Sequence, residues 1–344
     1  MEILEKKIPG YERVVFGSDQ AAGYRGIIAV HSTLLGPAVG GTRFWTYDSE
    51  ERALNDALRL ARGMTYKNAL AALPFGGGKS VIVGDNKRKD RERLFRAHGR
   101  LVESLGGSYI TAEDVGTSTA DMNFVLMETK HVGGIQGQSG DPSPITARGV
   151  FRAIQASAKH RWGTEDLQGK TVALQGCGHV GHYLAEWLHK HGAKLIVSDV
   201  DEERVRKTVA DFGAQAVPSE AIYSVEADIF SPCALGAILN DTTIQQLKVE
   251  IVAGAANNQL QDTRHADALK ARNILYAPDY AANAGGVIWG LCIERMGWTR
   301  EATLKKVDDI AQTISSIFGT AEKDRMTPSA AADRLAEMRL QPRA

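Results

Sequence analysis

The sequence predicts an α/β protein of two domains, the second built on a doubly wound parallel sheet. Three observations lead there. A chain of 344 residues exceeds what one hydrophobic core usually serves. From Gly169 onward, short apolar runs alternate with amphipathic helical patterns, the order that parallel strands joined by right-handed crossovers require. Within that stretch one strand pattern runs straight into glycines that open a helix.

Composition sets the outer limits. Hydrophobic residues make up 43% and charged residues 24%, enough apolar surface for a proper interior and far from a disordered composition. Lys plus Arg equals Asp plus Glu at 41 each, so no overall field draws the chain to nucleic acid or an anionic membrane. The uncharged stretch from Tyr280 to Ile293 is broken by three glycines and falls short of the roughly 18 residues that span a bilayer. The opening MEILEKKIPG places charges where a secretory signal needs apolar residues, which makes the cytoplasm the expected location. Cys177, Cys233 and Cys292 are too scattered for a disulfide framework or a zinc site, and are expected to be reduced.

In chain order, YERVVF and GYRGIIAVHSTLL read as two paired strands separated by a turn. From Asp48 or Ser49, apolar residues at Ala53, Leu54, Ala57, Leu58 and Ala61 repeat with helical spacing until Gly63, taken as the helix end. A second helix is expected over about 90–105, then a strand in YITAEDVG and a helix over about 118–129. GGIQGQSGDPSP, residues 133–144, holds turn formers and little to bury, and reads as the hinge between a domain over 1–140 and one over 141–321. Thr146 to His160 is helical in pattern. The strand candidates TVALQ, LIVSDVD, ADIFSPCA, VEIVAGAAN and ILYAPDY follow, and the end of the chain from Thr303 to Leu340 is amphipathic helix, its part over about 322–344 expected to pack back on the first domain.

Gly176, Gly178 and Gly181 form GxGxxG after a strand and at the start of a helix whose apolar residues include Val180, Leu184 and Leu188. The first glycine permits a tight turn, the second lets backbone approach a pyrophosphate, and the third allows close helix-on-strand packing, with the amides around His179 and Val180 facing phosphate. Asp199, eighteen residues after Gly181, stands where a carboxylate binds a ribose diol and repels a 2′-phosphate, favouring NAD over NADP. Asp201 is a rival for that role, read as a helix cap. His179 and His182, three residues apart, lack a third ligand, and no metal is expected.

PFGGGKS, residues 74–80, invites a phosphate-loop reading that fails, because the position requiring the first glycine is Leu73. The glycines instead suggest close backbone approach around Lys79 and a confined amine usable as a general base. Lys67 in GMTYKNA lies just beyond Gly63. Asp114 follows the apolar run YIT, a position from which a carboxylate enters a cleft. Gly40 and Gly41 in GPAVGGTRFW mark another close approach. His31, His98 and His131 show no carboxylate pairing suited to proton removal from a hydroxyl, which argues against a 2-hydroxy-acid dehydrogenase. The three groups Lys67, Lys79 and Asp114 likewise argue against a dinucleotide-binding sensor without chemistry.

Taken together, GGTRFWTY, DALRLARGMTYKNA, GGGKSVI, TAEDVGT, DPSPIT, the GxGxxG region, SPCALGA, AGAANNQL and APDYAANAGGVI resemble the glutamate, leucine, phenylalanine and valine dehydrogenase family in family order over nearly the whole chain, its leucine branch most closely. The resemblance implies an N-terminal α/β substrate and oligomerisation domain, a Rossmann-type doubly wound dinucleotide-binding domain, and a cleft between them that closes at the hinge. It implies that Lys67 grips the substrate carboxylate, that Lys79 and Asp114 are catalytic, and that Gly40, Gly41 and Met64 line the substrate site. Thr146 and Asn257 or Asn258 match the region around the nicotinamide. The activity implied is reversible NAD-dependent oxidative deamination of an L-amino acid to the 2-oxo acid and ammonia, by a homo-oligomer, octamer or dimer.

The matching side-chain pocket is apolar, with Val39, Ala112, Val287 and Ile288, which favours an aliphatic or aromatic side chain over that of glutamate, and the overall match to the leucine branch favours a branched-chain substrate. The sequence departs from the leucine branch at Trp289 and Gly290, which stand where a polar residue and a valine are usual, and at Ala281 and Ala282 before Asn283. Gly290 enlarges the pocket in that reading, which keeps an aromatic substrate such as phenylalanine as the alternative, since one or two methyls are worth only about 1–3 kcal/mol of discrimination. The segment GIQGQSGD is also shorter than in that branch.

Overall fold

The computed structural model describes residues 1–135 and 139–341. The centre of the expected hinge, 136–138, and the last three residues, 342–344, lie outside the described residues. Two compact units emerge: Met1–Gly140 with Gly290–Gly297 and the chain from Ala336, and Asp141–Trp289 with Trp298–Leu335.

The first unit is a mixed sheet. Its elements are β1 (Glu2–Lys6), β2 (Arg13–Asp19), β3 (Tyr24–Ser32), β4 (Ala38–Trp45), α1 (Glu50–Leu70), β5 (Gly76–Val83), α2 (Glu92–Glu103), β6 (Tyr109–Glu113) and α3 (Thr119–Leu126). The strand order is β1-β2-β3-β5-β4-β6, antiparallel from β1 to β5 and parallel across β5, β4 and β6. One face packs Val14, Ile27, Ala29 and Val81 on the alanines Ala53, Ala57 and Ala61 of α1, whose small side chains let helix and sheet approach closely. The other face packs Ile28, Phe44 and Ile82 against Leu94, Phe95 and Leu101 of α2.

Two expectations are corrected here. Helix α1, capped by Ser49, does not stop at Gly63 but continues to Leu70, so Lys67 lies in its last turn. A helical glycine costs only about 1 kcal/mol, and burial of Thr65, Asn68, Ala69 and Leu70 outweighs it. The glycines of PFGGGKS form no loop around the Lys79 amine: Gly76, Gly77 and Gly78 lie inside strand β5. A Cβ on Gly77 would sit 2.0 Å from the Thr65 amide nitrogen, and one on Gly78 would sit 2.7 Å from the Tyr109 ring. These glycines let α1 and a tyrosine lie on the strand. Strand β1, hidden in a charged segment, is an edge whose five residues are all exposed.

The second unit is a parallel sheet. It comprises α4 (Ser143–Trp162), β7 (Thr171–Gln175), α5 (His179–Lys190), β8 (Lys194–Ser198), α6 (Glu202–Phe212), β9 (Gln215–Ala216), β10 (Ile229–Pro232), α7 (Thr243–Gln246), β11 (Ile251–Val252), α8 (His265–Ala271), β12 (Leu275–Tyr276) and α9 (Asp279–Ala282). Helices α10 (Gly285–Glu294), α11 (Arg300–Asp308), α12 (Ile310–Lys323) and α13 (Pro328–Leu340) complete the chain, α10 and α13 each contributing residues to both units. The order β12-β11-β10-β7-β8-β9 reverses direction between β7 and β10, the switch point at which doubly wound sheets bind ligands beyond their strand ends. The tail is several helices, not one continuous helix over 303–340. From Ala336 it belongs to the first unit, where Tyr66 donates to Glu337 at 2.7 Å and Arg339 donates to the Ala69 carbonyl at 2.7 Å.

Candidate active site

The first unit assembles a buried ion pair across its central strand. Strand β4 lies between β5 and β6, so Lys79 on β5 and Asp114 just beyond β6 are separated by two strand spacings, about 9–10 Å of sheet. Lysine is long enough to cross that gap only where the strand between presents no side chain. That position is Gly41, paired with Ala112 of β6, where a Cβ would lie 2.8 Å from Asp114 Cβ and 2.3 Å from the Glu113 carbonyl oxygen. Lys79 Nζ then meets Asp114 Oδ2 at 2.8 Å, with Lys79 5% exposed and the Asp114 side chain 22% exposed. Gly40 is fixed for another reason, since its Cβ would fall 1.7 Å from the Gly78 carbonyl oxygen.

Burial alone would raise the Asp114 carboxyl. The nearby charges of Lys79 and Arg43, the hydrogen bond from Lys79 and the Val115 amide outweigh it and hold the group below the usual carboxylate range. The carboxyl is therefore kept in its charged form beside the two cations.

Behind the strands runs a buried hydrogen-bond network. Tyr109 donates to the Gly40 carbonyl at 2.6 Å and to Ser80 Oγ at 3.1 Å. Thr42 lies 2.8 Å from Ser80, 2.5 Å from Thr111 and 2.9 Å from His98 Nε2, while His98 Nδ1 meets the Tyr24 hydroxyl at 2.9 Å. Burial drives His98 down to about 3, so it is a neutral member of this network. The histidines that sequence reading left isolated thus have partners: His98 as described, and His31 with Thr65 at 2.9 Å. His131 lies 3.9 Å from Glu103.

The remaining expected substrate residues divide between the units. Val39 is buried on β4, Met64 and Lys67 lie one helical turn apart on α1, Ala112 is on β6, and Gly290 is in the first unit; Val287 is in the second. Lys67 is half-buried. Asn68 next to it donates to the Gly76 carbonyl at 2.6 Å, tying the end of α1 to the start of the strand that carries Lys79. A Cβ on Gly290 would meet nothing within 4 Å.

In the second unit the glycine cradle has the shape its spacing demands. Gly176 takes φ +98°, with the chain after β10 packed 2.9 Å from its Cβ position, and a Cβ on Gly181 would lie 1.9 Å from the Gly176 carbonyl oxygen. Gly178 begins α5 with no side chain capping the helix, which leaves the amides around His179 and Val180 available for phosphate. Asp199 accepts from the Cys177 amide at 2.7 Å and the Asp201 amide at 2.9 Å, which places it at the cradle. Asp201 caps α6 through Glu203 and Arg204, the role expected for it. These residues fit a dinucleotide.

Farther along the same unit, Asn283 donates to Asn257 Oδ1 at 2.8 Å and to the Ala255 carbonyl at 3.0 Å, and Thr146 packs on Gly285 and Gly286. Asn258 stands at φ 52°, a left-handed turn position. Trp289 is buried, with the Arg300 guanidinium 5.7 Å over its ring. Among the described residues no group of three or more His, Cys, Asp or Glu is placed to hold a metal, and no helix is long and apolar enough to cross a membrane.

Sequence reading missed Arg43, Asp56, His98 and Asn283. Arg43 stood in a quoted motif and was detectable only as a charge beside two glycines; His98 gave no signal, because its partners Tyr24, Thr42 and Ser80 lie on three different strands.

Two family models account for nearly all of this chain. The Glu/Leu/Phe/Val dehydrogenase dimerisation domain matches residues 12–131, and the Glutamate/Leucine/Phenylalanine/Valine dehydrogenase model matches 133–203 and 197–342. Fold and site thus define an oxidoreductase of the amino-acid dehydrogenase class, acting on CH–NH2 donors. The chain is 53% identical over 334 residues to a leucine dehydrogenase of Geobacillus stearothermophilus, covering 96% of this chain and 91% of that one. It is also 53% identical over 342 residues to a leucine dehydrogenase of Bacillus cereus, with 98% and 93% covered. The crystal structure of L-tryptophan dehydrogenase from Nostoc punctiforme superposes with a TM-score of 0.85 at 44% identity, covering 96% of both chains. The chain belongs to the glutamate, leucine, phenylalanine and valine dehydrogenase family.

Proposed function

We propose that the protein carries out reversible oxidative deamination of branched-chain L-amino acids, leucine foremost, with NAD. The observation that carries the reading is the Lys79–Asp114 contact across Gly41, in a chain half identical to leucine dehydrogenases. When bound, NAD accepts the hydride from the substrate α-carbon, leaving an iminium.

The chain's own groups do the rest. Lys67 holds the substrate carboxylate by opposite charge. With its own proton first passed to Asp114 across the 2.8 Å contact, Lys79 Nζ takes the proton of the water that attacks the iminium carbon, and Asp114 Oδ2 hands the proton it received to the departing amine nitrogen. Amino acid, NAD⁺ and water thus give the 2-oxo acid anion, ammonium, NADH and one proton released to solvent. Gly176, Gly178 and Gly181 admit the pyrophosphate, and Asp199 takes the ribose diol, which favours NAD over NADP. Thr146 and Asn257, the latter oriented by Asn283, bound the nicotinamide.

A homo-oligomer assembled through the first unit is part of the reading: the matching family domain is a dimerisation domain, and exposed strand β1 carries Ile3 and Leu4 at 47% and 57% exposure. A cytoplasmic location is part of the same reading.

Absorbance of reduced nicotinamide, followed with NAD and a panel of leucine, valine, phenylalanine, tryptophan and glutamate, tests the function; no reduction with any of them overturns it. Open space at Gly290 supports aromatic substrates as the second reading. Gly290→Val is expected to lower kcat/KM for phenylalanine relative to leucine by about 10-fold or more, and an unchanged ratio removes Gly290 from the pocket. Lys67→Ala is expected to raise KM for leucine by about 10–100-fold with a smaller change in kcat. An unchanged KM would assign the carboxylate to another cation.

A further inference from the structure

Asp114 is held from two sides. Besides Lys79 on β5, Arg43 on β4 places Nε 3.2 Å from the same oxygen, Oδ2. Arg43 and Gly41 are two residues apart on β4 and share one face of the strand, so the glycine that lets Lys79 across also leaves the guanidinium unobstructed. The arginine is itself anchored. Its Nη1 lies 2.8 Å from Asp56 Oδ2 on α1, an oxygen that also accepts from the Tyr47 hydroxyl at 2.7 Å, while Arg59 holds Asp56 Oδ1 at 2.7 Å. Arg43 and Asp56 side chains are 19% and 11% exposed, so these charges act at short range with little screening.

We propose that Arg43 is a positioning residue for the reaction: gripped by Asp56, it fixes the Asp114 carboxylate in place and sets how readily that carboxylate takes a proton. The inference rests on the reading of Asp114 as the proton-passing group. Around Asp114 stand Lys79 from β5, Arg43 and Gly41 from β4, Tyr109 and Glu113 from β6, and the Val115 amide and Thr117 of the following turn. Burial pushes the Tyr109 phenol up, so it stays neutral where the carboxylate titrates, and Lys79 and Arg43 are the cations beside it. Asp56 divides the guanidinium between two carboxylates and adds a like charge one residue removed. Loss of Arg43 therefore makes Asp114 easier to protonate, and loss of the Asp56 charge makes it harder.

The test is the pH dependence of kcat/KM for leucine, whose acid limb reports essential groups of the free enzyme. In Arg43→Gln the acid limb moves up by about one pH unit, and kcat falls by more than KM rises. Arg43→Lys, which keeps the charge and loses the planar fork, returns the limb toward wild type while kcat stays lowered. Asp56→Asn moves the limb the opposite way, to lower pH. A role confined to stability lowers the amount of active enzyme and leaves the limb where it was. Superposition of the Arg43→Gln and wild-type limbs, or shifts of the same sign in Arg43→Gln and Asp56→Asn, overturns the proposal. Should Arg43→Gln fail to fold, the Arg43→Lys and Asp56→Asn profiles decide, with Asp56→Asn at wild-type position counting against it. Asp114→Asn separates the two levels: near-normal turnover there refutes the underlying role of Asp114, whereas an inactive Asp114→Asn with an unmoved Arg43→Gln limb refutes only the part given to Arg43.

Discussion

Lys79→Ala is expected to lower kcat for leucine by about 10³-fold or more while NADH still binds with its wild-type affinity. Lys79 is 5% exposed and spends its charge on Asp114 at 2.8 Å, so it is placed for proton transfer and for nothing that solvent contact would serve. In the proposed mechanism, removing it takes away the base for the attacking water. It also leaves Asp114 with Arg43 as its remaining cation, which changes the carboxylate's proton affinity as well. The glycine turn proposed to admit the dinucleotide, Gly176, Gly178 and Gly181, belongs to the second unit, whereas Lys79 belongs to the first. Stopped-flow turnover and NADH fluorescence titration separate the two effects. A Lys79→Ala enzyme within a few-fold of normal kcat would remove Lys79 from the chemistry.

Gly181→Ala is the counterpart in the other unit. A methyl group there falls 1.9 Å from the Gly176 carbonyl oxygen, where ordinary contacts begin above 3 Å, so helix α5 must move away from strand β7 or the turn must open. Both displace the helix amides that the proposed function assigns to phosphate. We expect NADH affinity to fall by about 100-fold, equivalent to about 2.7 kcal/mol, within the range that overpacking a tight contact costs. Circular dichroism should show the fold retained, and Lys67, Lys79 and Asp114 remain as they are in the first unit. Unchanged NADH binding would mean that the dinucleotide does not rest on this turn.

Much of the second unit was legible because its signals are local. A strand pattern, three glycines at fixed spacing and a carboxylate at the end of the next strand lie within 29 residues, Thr171 to Asp199: the strand forms, the glycines open helix α5, and Asp199 follows β8. The paired strands β2 and β3 were legible for the same reason. Strand β1 was not, because it is an exposed edge with charged residues and no apolar alternation to betray it. The end of α1 was misread because a glycine is a strong stop signal in isolation, and only the packing of Thr65 and Asn68 on β5 shows why the helix continues. The glycines before Lys79 were noticed, but their reason was not: they accommodate α1 and Tyr109, while the glycine that serves Lys79 is Gly41 on another strand.

Residue types and local spacing, by themselves, determined the parallel second sheet, its glycine turn, and the presence of two lysines and an aspartate in the first unit worth attention, since periodicity and turn chemistry act over a few residues. Only the tertiary structure decided that Lys79 and Asp114 touch, and that Arg43, 71 residues from Asp114, grips the same carboxylate. The physical reason is that Coulomb and hydrogen-bond energies depend on distance in space. That distance was set by the order β5-β4-β6 and by a missing side chain on the strand between, neither of which any local pattern records.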